Sequence, residues 1–255
     1  MFKNVVDLCA SPEGPRDRQL LRGETFLVVD LSEGSAFGFA QKDGYVGWVD
    51  ASALVGHPAQ DPTHRVSAAR SYGKSTPGLK TMGRVMPLPH GARLIVSQEV
   101  DGWSKVSWGH GTLPRALYVP SSHLVPIDEL DADPVAVAEL YLGAPYLWGG
   151  NSDMGVDCSG LIQAGCLTCG ITCPGDSDMQ EAELGTHLDG NEPLQRGDLL
   201  FWKGHVAWVA TPDLLIHANA HHMAVAYEPT AQAIARIEAQ GDGHVTARKR
   251  LEKLP

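Results

Sequence analysis

Tyr146-Leu147-Trp148-Gly149-Gly150, followed by Val156-Asp157-Cys158-Ser159-Gly160, decides the fold and the chemistry of this chain. It reads as a short strand, a glycine-rich polar loop, and a cysteine in the first turn of a helix. A thiol is a useful nucleophile only as thiolate, and a helix N-terminus favours the thiolate through free backbone N–H groups and the positive end of the dipole. About fifty residues on come Gly204-His205-Val206-Ala207-Trp208-Val209 and Leu215-Ile216-His217-Ala218, two strand-like runs with one histidine each. A placed cysteine followed by two histidines on strands points to cysteine hydrolase chemistry.

The spacing of the histidines has geometric content. Thr211-Pro212-Asp213 is a turn signal, and a symmetric hairpin about Thr211 sets His205 directly opposite His217. Opposed residues share a face, with Cβ atoms roughly 4.5–5.5 Å apart. His205, Ala207 and Val209 then line one face, and Val206, Trp208 and Ala210 the other. One ring could act on the thiol while the second holds it in the right tautomer. The competing reading is two ordinary core histidines among the eleven in the chain.

The bulk composition narrows the class. The 255 residues suit two or three domains, and 43% hydrophobic with 20% charged residues is a globular composition. A net charge of −10 argues against a nucleic-acid or anionic-membrane surface. No run approaches the roughly twenty apolar residues of a membrane span. Met1–Leu8 has no apolar signal core, and five cysteines do not suggest a disulfide framework. The expectation is a cytoplasmic protein with reduced thiols, monomeric, with no nucleic-acid or membrane partner.

Three segments are expected: residues 1–58, 63–126 and 128–255. The first two read as all-β and echo each other. Gly23–Val29 leads to Asp43-Gly44-Tyr45-Val46-Gly47-Trp48 and Ala51–Val55; Gly91–Val96 leads to Asp101-Gly102-Trp103 and Ser121–Val125. A linker is placed near Pro58-Ala59-Gln60-Asp61-Pro62. In the third segment Asp133 and Pro134 start a helix over Val135–Leu142, and a second runs from Cys158 to about Cys169. Strands follow at Leu199–Trp202, His205–Val209, Leu214–His217 and Ala224–Tyr227, then a helix over Thr230–Ala239 and a last strand within His244–Leu251. Helices first and an antiparallel sheet after is an α+β pattern.

At these residues the sequence resembles the NlpC-type cysteine peptidases, papain-like hydrolases of bacterial cell-wall peptides. The resemblance covers about 130–225, through Tyr146-x-Trp148-Gly149-Gly150, Asp157-Cys158-Ser159-Gly160, Arg196-Gly197-Asp198-Leu199-Leu200-Phe201, Gly204-His205-Val206 and Ile216-His217-Ala218. It implies Cys158 as nucleophile, His205 as base and then acid, and His217 as orienting residue. Tyr146 is implied to bind the developing oxyanion with the Cys158 N–H; the alternative is core packing. Segments one and two are similar to bacterial SH3-like barrels, and such barrels before this domain resemble a γ-D-glutamyl-L-diamino-acid endopeptidase subgroup. That subgroup acts on murein peptides with a free N-terminal L-alanine. The resemblance makes Asp176 and Ser177 candidates for the substrate ammonium (the alternative is a helix-capping turn), and Tyr45 a candidate for closing the pocket (the alternative is a barrel-surface aromatic). Ser159 and Trp148 complete the expected substrate-binding set. No metal or organic cofactor is implied.

Other readings stay open. They are a broader wall endopeptidase or amidase of the same fold, and a non-catalytic wall-binding module. Cys166, Cys169, Cys173 and His187 could form a metal set, but no second close pair completes four ligands. His221-His222 suit an exposed turn, and Arg248-Lys249-Arg250 a solvated strand face. Trp208 is expected to narrow the cleft, and Ile171–Asn191 is read as an acid-rich loop.

Overall fold

A computed structural model describes residues 3–56, 60–108, 115–241 and 243–251. The chain divides into two compact units, Met1–Glu129 and Leu130–Pro255. Pro58 and Ala59 of the expected linker lie outside the described residues.

The first unit is built from short strands. β1 (Val5–Cys9), β2 (Arg16–Leu21), β3 (Phe26–Ser32), β4 (Ser35–Ala40) and β5 (Val46–Asp50) form an antiparallel sheet in the order β2-β1-β5-β4-β3. Val6, Leu8, Leu20, Ala36 and Val49 bury a core against it. β6 (His64–Val66), β7 (Arg70–Lys74), β8 (Val85–Pro89), β9 (Arg93–Leu94), β10 (Val96–Val100), β11 (Trp103–Trp108), β12 (Arg115–Pro120) and β13 (Leu124–Pro126) follow. They form the sheets β10-β11-β12-β7-β8 and β13-β6-β9 around a second core that includes Val66, Leu88, Val106 and Val119.

The internal echo is real in strand order, but its alignment slides. Asp101-Gly102, both at positive φ, turn β10 into β11. The equivalent turn in the first half is Glu33-Gly34, also both at positive φ, between β3 and β4, and not Asp43-Gly44. Two central residues at positive φ match the right-handed twist of the flanking strands. A 3₁₀ turn follows β5 at Ala51–Ala53, and another follows β12 at Ser121–His123.

The second unit packs helices on both faces of one sheet. α1 (Pro134–Glu139) starts where expected: the Asp133 carboxylate accepts from the Val135 N–H at 2.9 Å, and Pro134 takes the first helical position. After the short ribbon β14 (Asn151–Ser152) and β15 (Gly155–Val156) comes α2 (Cys158–Thr168). The stretch read as a loop holds a helix, α3 (Ser177–Glu183), and a short strand, β16 (Thr186–His187). β17 (Asp198–Trp202), β18 (His205–Thr211), β19 (Leu214–Asn219), β20 (Ala224–Pro229), α4 (Thr230–Gln240) and β21 (Ala247–Arg250) complete the unit. The sheet order is β16-β21-β17-β18-β19-β20, with each pairing antiparallel.

Alternation along the strands divides the core in two. Leu199, Phe201, Val206, Trp208, Ile216 and Ala218 join Val135, Leu161, Ile162 and Cys166 from α1 and α2. Leu200, Trp202, Ala207, Val209 and Leu215 join Ala233 and Ile237 from α4. Trp208 is therefore core beneath α2, fully buried, and does not narrow a cleft. The Arg196-Gly197-Asp198 block is structural. Arg196 bridges Asp133 at 2.7 Å and Glu139 at 2.9 Å, fastening α1 to the sheet. Buried Asp198 accepts from Arg250 Nε at 2.7 Å, so Arg250 anchors β21 to β17 and is not simply a solvated charge.

Trp208→Ala removes a fully buried indole from the core around α2, and is expected to destabilise the second unit by about 3–5 kcal/mol. Urea unfolding followed by far-UV dichroism checks this, and a loss below about 1 kcal/mol would contradict the packing described.

Candidate active site

The site begins at the start of α2. Asp157 is its N-cap, buried at 4% exposure, and one carboxylate gathers three donors. It accepts from the Gly160 N–H at 2.6 Å, the Gly149 N–H at 2.9 Å and the Ser159 hydroxyl at 3.1 Å. The glycine-rich loop is thus tied to the first helical turn. Two glycines make the approach possible. A Cβ on Gly160 would meet the Gly150 carbonyl oxygen at 2.4 Å, and one on Gly150 would meet the Gly155 carbonyl oxygen at 2.4 Å. Cys158 takes the first helical position, where a backbone N–H has no partner inside the helix.

The histidines arrive from the strands, with a register two residues from the symmetric one. Trp208 stands opposite Ile216 and Val209 opposite Leu215, with a bulge between Val209 and Thr211. That sets Ala207, not His205, opposite His217. A two-residue offset preserves the face, so both rings remain on the side covered by α4 and meet diagonally. His205 Nε2 lies 2.9 Å from His217 Nδ1.

The thiol comes from α2 on the other face. It reaches the histidines around the end of the sheet, where the two-residue turn Lys203-Gly204 joins β17 to β18. Cys158 Sγ is 4.0 Å from the Gly204 carbonyl oxygen, one residue from His205. The His205 ring packs on Trp202, with centroids 5.6 Å apart. A cavity of ≈ 280 Å³ opens beside it, with Tyr146, Lys203, Gly204, His205 and Asn219 in its wall.

Behind His217 stand two residues that the sequence reading missed. Fully buried His217 places Nε2 3.0 Å from Glu228 Oε2, and Arg236 on α4 donates to both oxygens of Glu228 at 2.8 Å. The signal was present in the alternation of Ala224–Pro229. Ala226 pairs with His217, and Glu228, two residues on, shares its face.

Burial pushes His205 down to about 3, helped by the neighbouring His217 and Arg236 and opposed by Glu228. Burial also lowers His217, against the raising effect of the Glu228 bond. The Arg236 bond holds Glu228 well below the usual carboxylate range, and the His217 bond adds to it. At neutral pH both rings are uncharged and the carboxylate is ionised.

The remaining expected residues are distributed as follows. Tyr146 is partly buried against the α2 core, its N–H bonded to the Met223 carbonyl at 3.0 Å. Trp148 is 67% exposed at the glycine-rich loop. Ser159 is buried, with its hydroxyl on Asp157, while its carbonyl accepts from Gln180 Nε2 at 3.0 Å. That bond ties α3 to the start of α2. Asp176 occupies the N-cap position of α3, yet its carboxylate makes no capping bond; Ser177 follows as the first helical residue. Tyr45 belongs to the first unit, partly buried against its core, with the Arg18 guanidinium carbon 5.8 Å from its ring centre. Cys166, Cys169 and Cys173 are buried, whereas His187 is exposed on β16. Among the described residues no three His, Cys, Asp or Glu side chains are grouped to hold a metal. His221 and His222 lie in an exposed turn, their rings 4.8 Å apart edge to face. No helix among the described residues is long and apolar enough to cross a membrane.

Unfolded imidazoles titrate near 6.5, whereas folded His205 titrates near 3. Between those values the unfolded chain holds the extra proton, so stability falls as pH drops from about 6.5 towards 3. The urea midpoint should be lower at pH 5 than at pH 7.5, with a smaller difference in His205→Gln; equal differences in the two proteins would contradict the burial of this ring.

Both compact units contain stretches that match known families. Residues 143–238 match the NlpC/P60 family, and residues 8–54 match the bacterial dipeptidyl-peptidase Sh3 domain. The chain is 32% identical over 194 residues to a γ-D-glutamyl-L-lysine dipeptidyl-peptidase of Bacillus subtilis, covering 71% of this chain and 58% of that protein. It is 38% identical over 85 residues to dipeptidyl-peptidase 6 of Lysinibacillus sphaericus, covering 33% of this chain and 31% of that one. The matched stretches thus span 58% and 31% of these relatives, less than two thirds of each. In fold, the chain is similar to the crystal structure of an NlpC/P60 family protein from Bacillus cereus, with a TM-score of 0.80 and 21% identity over 99% of this chain and 98% of that one.

Proposed function

We propose that this chain, whose second unit carries an NlpC/P60 family domain, is a cysteine peptidase that cuts the bond between γ-D-glutamate and the diamino acid of murein peptides. One observation carries the reading. Cys158 Sγ, at the first residue of a helix, lies 4.0 Å from the carbonyl oxygen of the residue before His205, whose ring is paired with His217 at 2.9 Å.

The mechanism follows from those positions. His205 takes the Cys158 proton as sulfur attacks the carbonyl on the γ-carboxyl of D-glutamate. The Cys158 N–H and the Tyr146 hydroxyl bind the oxyanion, donors typically worth about 3–4 kcal/mol each. His205 then protonates the departing amine, which leaves a thioester on Cys158. Water, giving a proton to His205, attacks the thioester and releases the acid and the thiol. Residues of this chain supply every proton transfer in the scheme.

The relatives named dipeptidyl-peptidases support a requirement for a free N-terminal amine. Asp176 and Ser177 are our candidates for receiving it. Asp176 stands at the N-cap position of α3, and Gln180 of α3 is bonded to the helix that carries Cys158. An anionic partner rejects internal chain positions, which carry no charge. We read Trp148 and Ser159 as further parts of the substrate wall. Residues 1–58 and 63–126 are read as two SH3-like barrels, on their separate cores and shared strand order. A free amine belongs to peptides already released from the wall, so the role proposed is recycling of such peptides.

Cys158→Ala should fold normally and lose at least a thousandfold of the release of L-Ala-D-Glu from L-Ala-γ-D-Glu-diaminopimelate, followed by chromatography. Persistent release at the native rate would overturn the nucleophile assignment. N-acetylating the same peptide should lower kcat/KM by about 10- to 100-fold, the range for loss of one charge-assisted bond. Equal rates on the two peptides would overturn the Asp176 reading while leaving the nucleophile in place.

A further inference from the structure

We propose that Glu228 is a positioning residue that fixes the tautomer of both active-site imidazoles and so leaves Nδ1 of His205 bare to receive the thiol proton. The proposal rests on the reading of His205 as the base, and it identifies the ring atom that acts and the residue that selects it.

A chain of hydrogen bonds links Glu228 to His217 and His217 to His205. An ionised carboxylate only accepts. Glu228 is 6% exposed and is clamped by Arg236, with Nε to Oε1 and Nη2 to Oε2 both at 2.8 Å. The nitrogen facing it at 3.0 Å, His217 Nε2, must therefore carry a proton. A neutral ring holds one proton, so His217 Nδ1 is a bare acceptor. Its partner at 2.9 Å, His205 Nε2, must then donate, and the single proton of neutral His205 is consumed. Nδ1 of His205 is left without one. Reversing any ring sets two acceptors or two donors face to face in a buried site, which costs more than the bond is worth. Once His205 takes the thiol proton, its Nε2–H bond to His217 persists, and no proton moves further along the chain.

Charge is a smaller part of the effect. Glu228 favours a charged His205, while the Arg236 guanidinium opposes it. The two oppose each other at His205, so Glu228 acts chiefly by orientation. Arg236 is also held by Gln240, to which Nη1 donates at 2.8 Å, so the clamp is braced one helical turn along α4.

Two measurements test this. In wild-type protein labelled with ¹⁵N in its imidazoles at pH 7.5, His205 and His217 should each show a pyrrole-type Nε2 and a pyridine-type Nδ1. This readout needs no substrate, so it stands even if the proposed activity fails. A pyridine-type Nε2 on either ring would overturn the proposal. In Glu228→Gln, any orientation of the amide sets its NH₂ against a donor of Arg236 or His217, so the tautomer is no longer fixed. We expect kcat on the murein peptide to fall by about 10⁴-fold, as when another hydrolase's orienting carboxylate becomes an amide, with KM changed less than threefold. A second population of His205 with protonated Nδ1 should appear. Loss of activity with unaltered tautomers would mean that Glu228 is merely structural, and kcat within threefold of wild type would equally overturn the proposal.

Discussion

The carboxylate of Asp157 is the constraint on which the site depends. It accepts from Gly149, Ser159 and Gly160, and so fastens a loop, a helix start and a side chain in one buried place. Cys158 sits between these partners and has little freedom of its own. Without that cap the first turn of α2 would fray, since the leading N–H groups of a helix have no internal partners. The glycines beside it follow from the same demand, because the Gly150 carbonyl passes where a side chain at 160 would stand.

The sheet sets the second constraint. Its two faces are covered by different helices, with α2 on one and α4 on the other. The thiol belongs to the first face, and the imidazoles belong to the second. They approach each other only where β18 begins, at the turn that brings the Gly204 carbonyl towards sulfur. His205 is the first residue of that strand, and this is why a histidine from the far face can serve a cysteine from the near one. The arrangement lets each half be held independently, sulfur by the Asp157 cap and the rings by the Glu228–Arg236 clamp. A buried carboxylate paired with a part-buried guanidinium is costly to desolvate, so the clamp is better understood as specifying geometry than as adding stability.

Much of this was legible in the sequence. Asp133 and Pro134 announce α1, the glycine-rich loop before Cys158 announces α2, and apolar runs divided by turn residues give the four strands from Asp198 to Pro229. The face shared by the two histidines also follows from spacing. Their exact pairing does not, because a bulge after Val209 absorbs a residue without any distinctive side chain. In the first unit the Asp43-Gly44 pair imitates a hairpin turn, while the tighter turn uses Glu33-Gly34, and a glutamate at positive φ is an uncommon choice. α3 was hidden by its short length and polar face. It is fastened through Gln180, a fully buried amide whose Nε2 donates to the Ser159 carbonyl on α2 and to the nearby Pro174 carbonyl. Arg236 was invisible for the same reason, since a charge on an amphipathic helix reads as solvated until its partner on a neighbouring strand is known.

The central claim is that Cys158 is activated by its surroundings, and its rate of alkylation measures this most directly. Cys9 supplies an internal standard. It is partly exposed, with burial and nearby Asp7 pushing its thiol up, so it is almost wholly protonated at pH 6. Brief treatment with iodoacetamide at pH 6, read by peptide mass spectrometry, should label Cys158 well ahead of Cys9, and the lead should vanish in His205→Ala. Labelling of Cys158 no faster than Cys9, or a lead unchanged by loss of His205, would contradict the account.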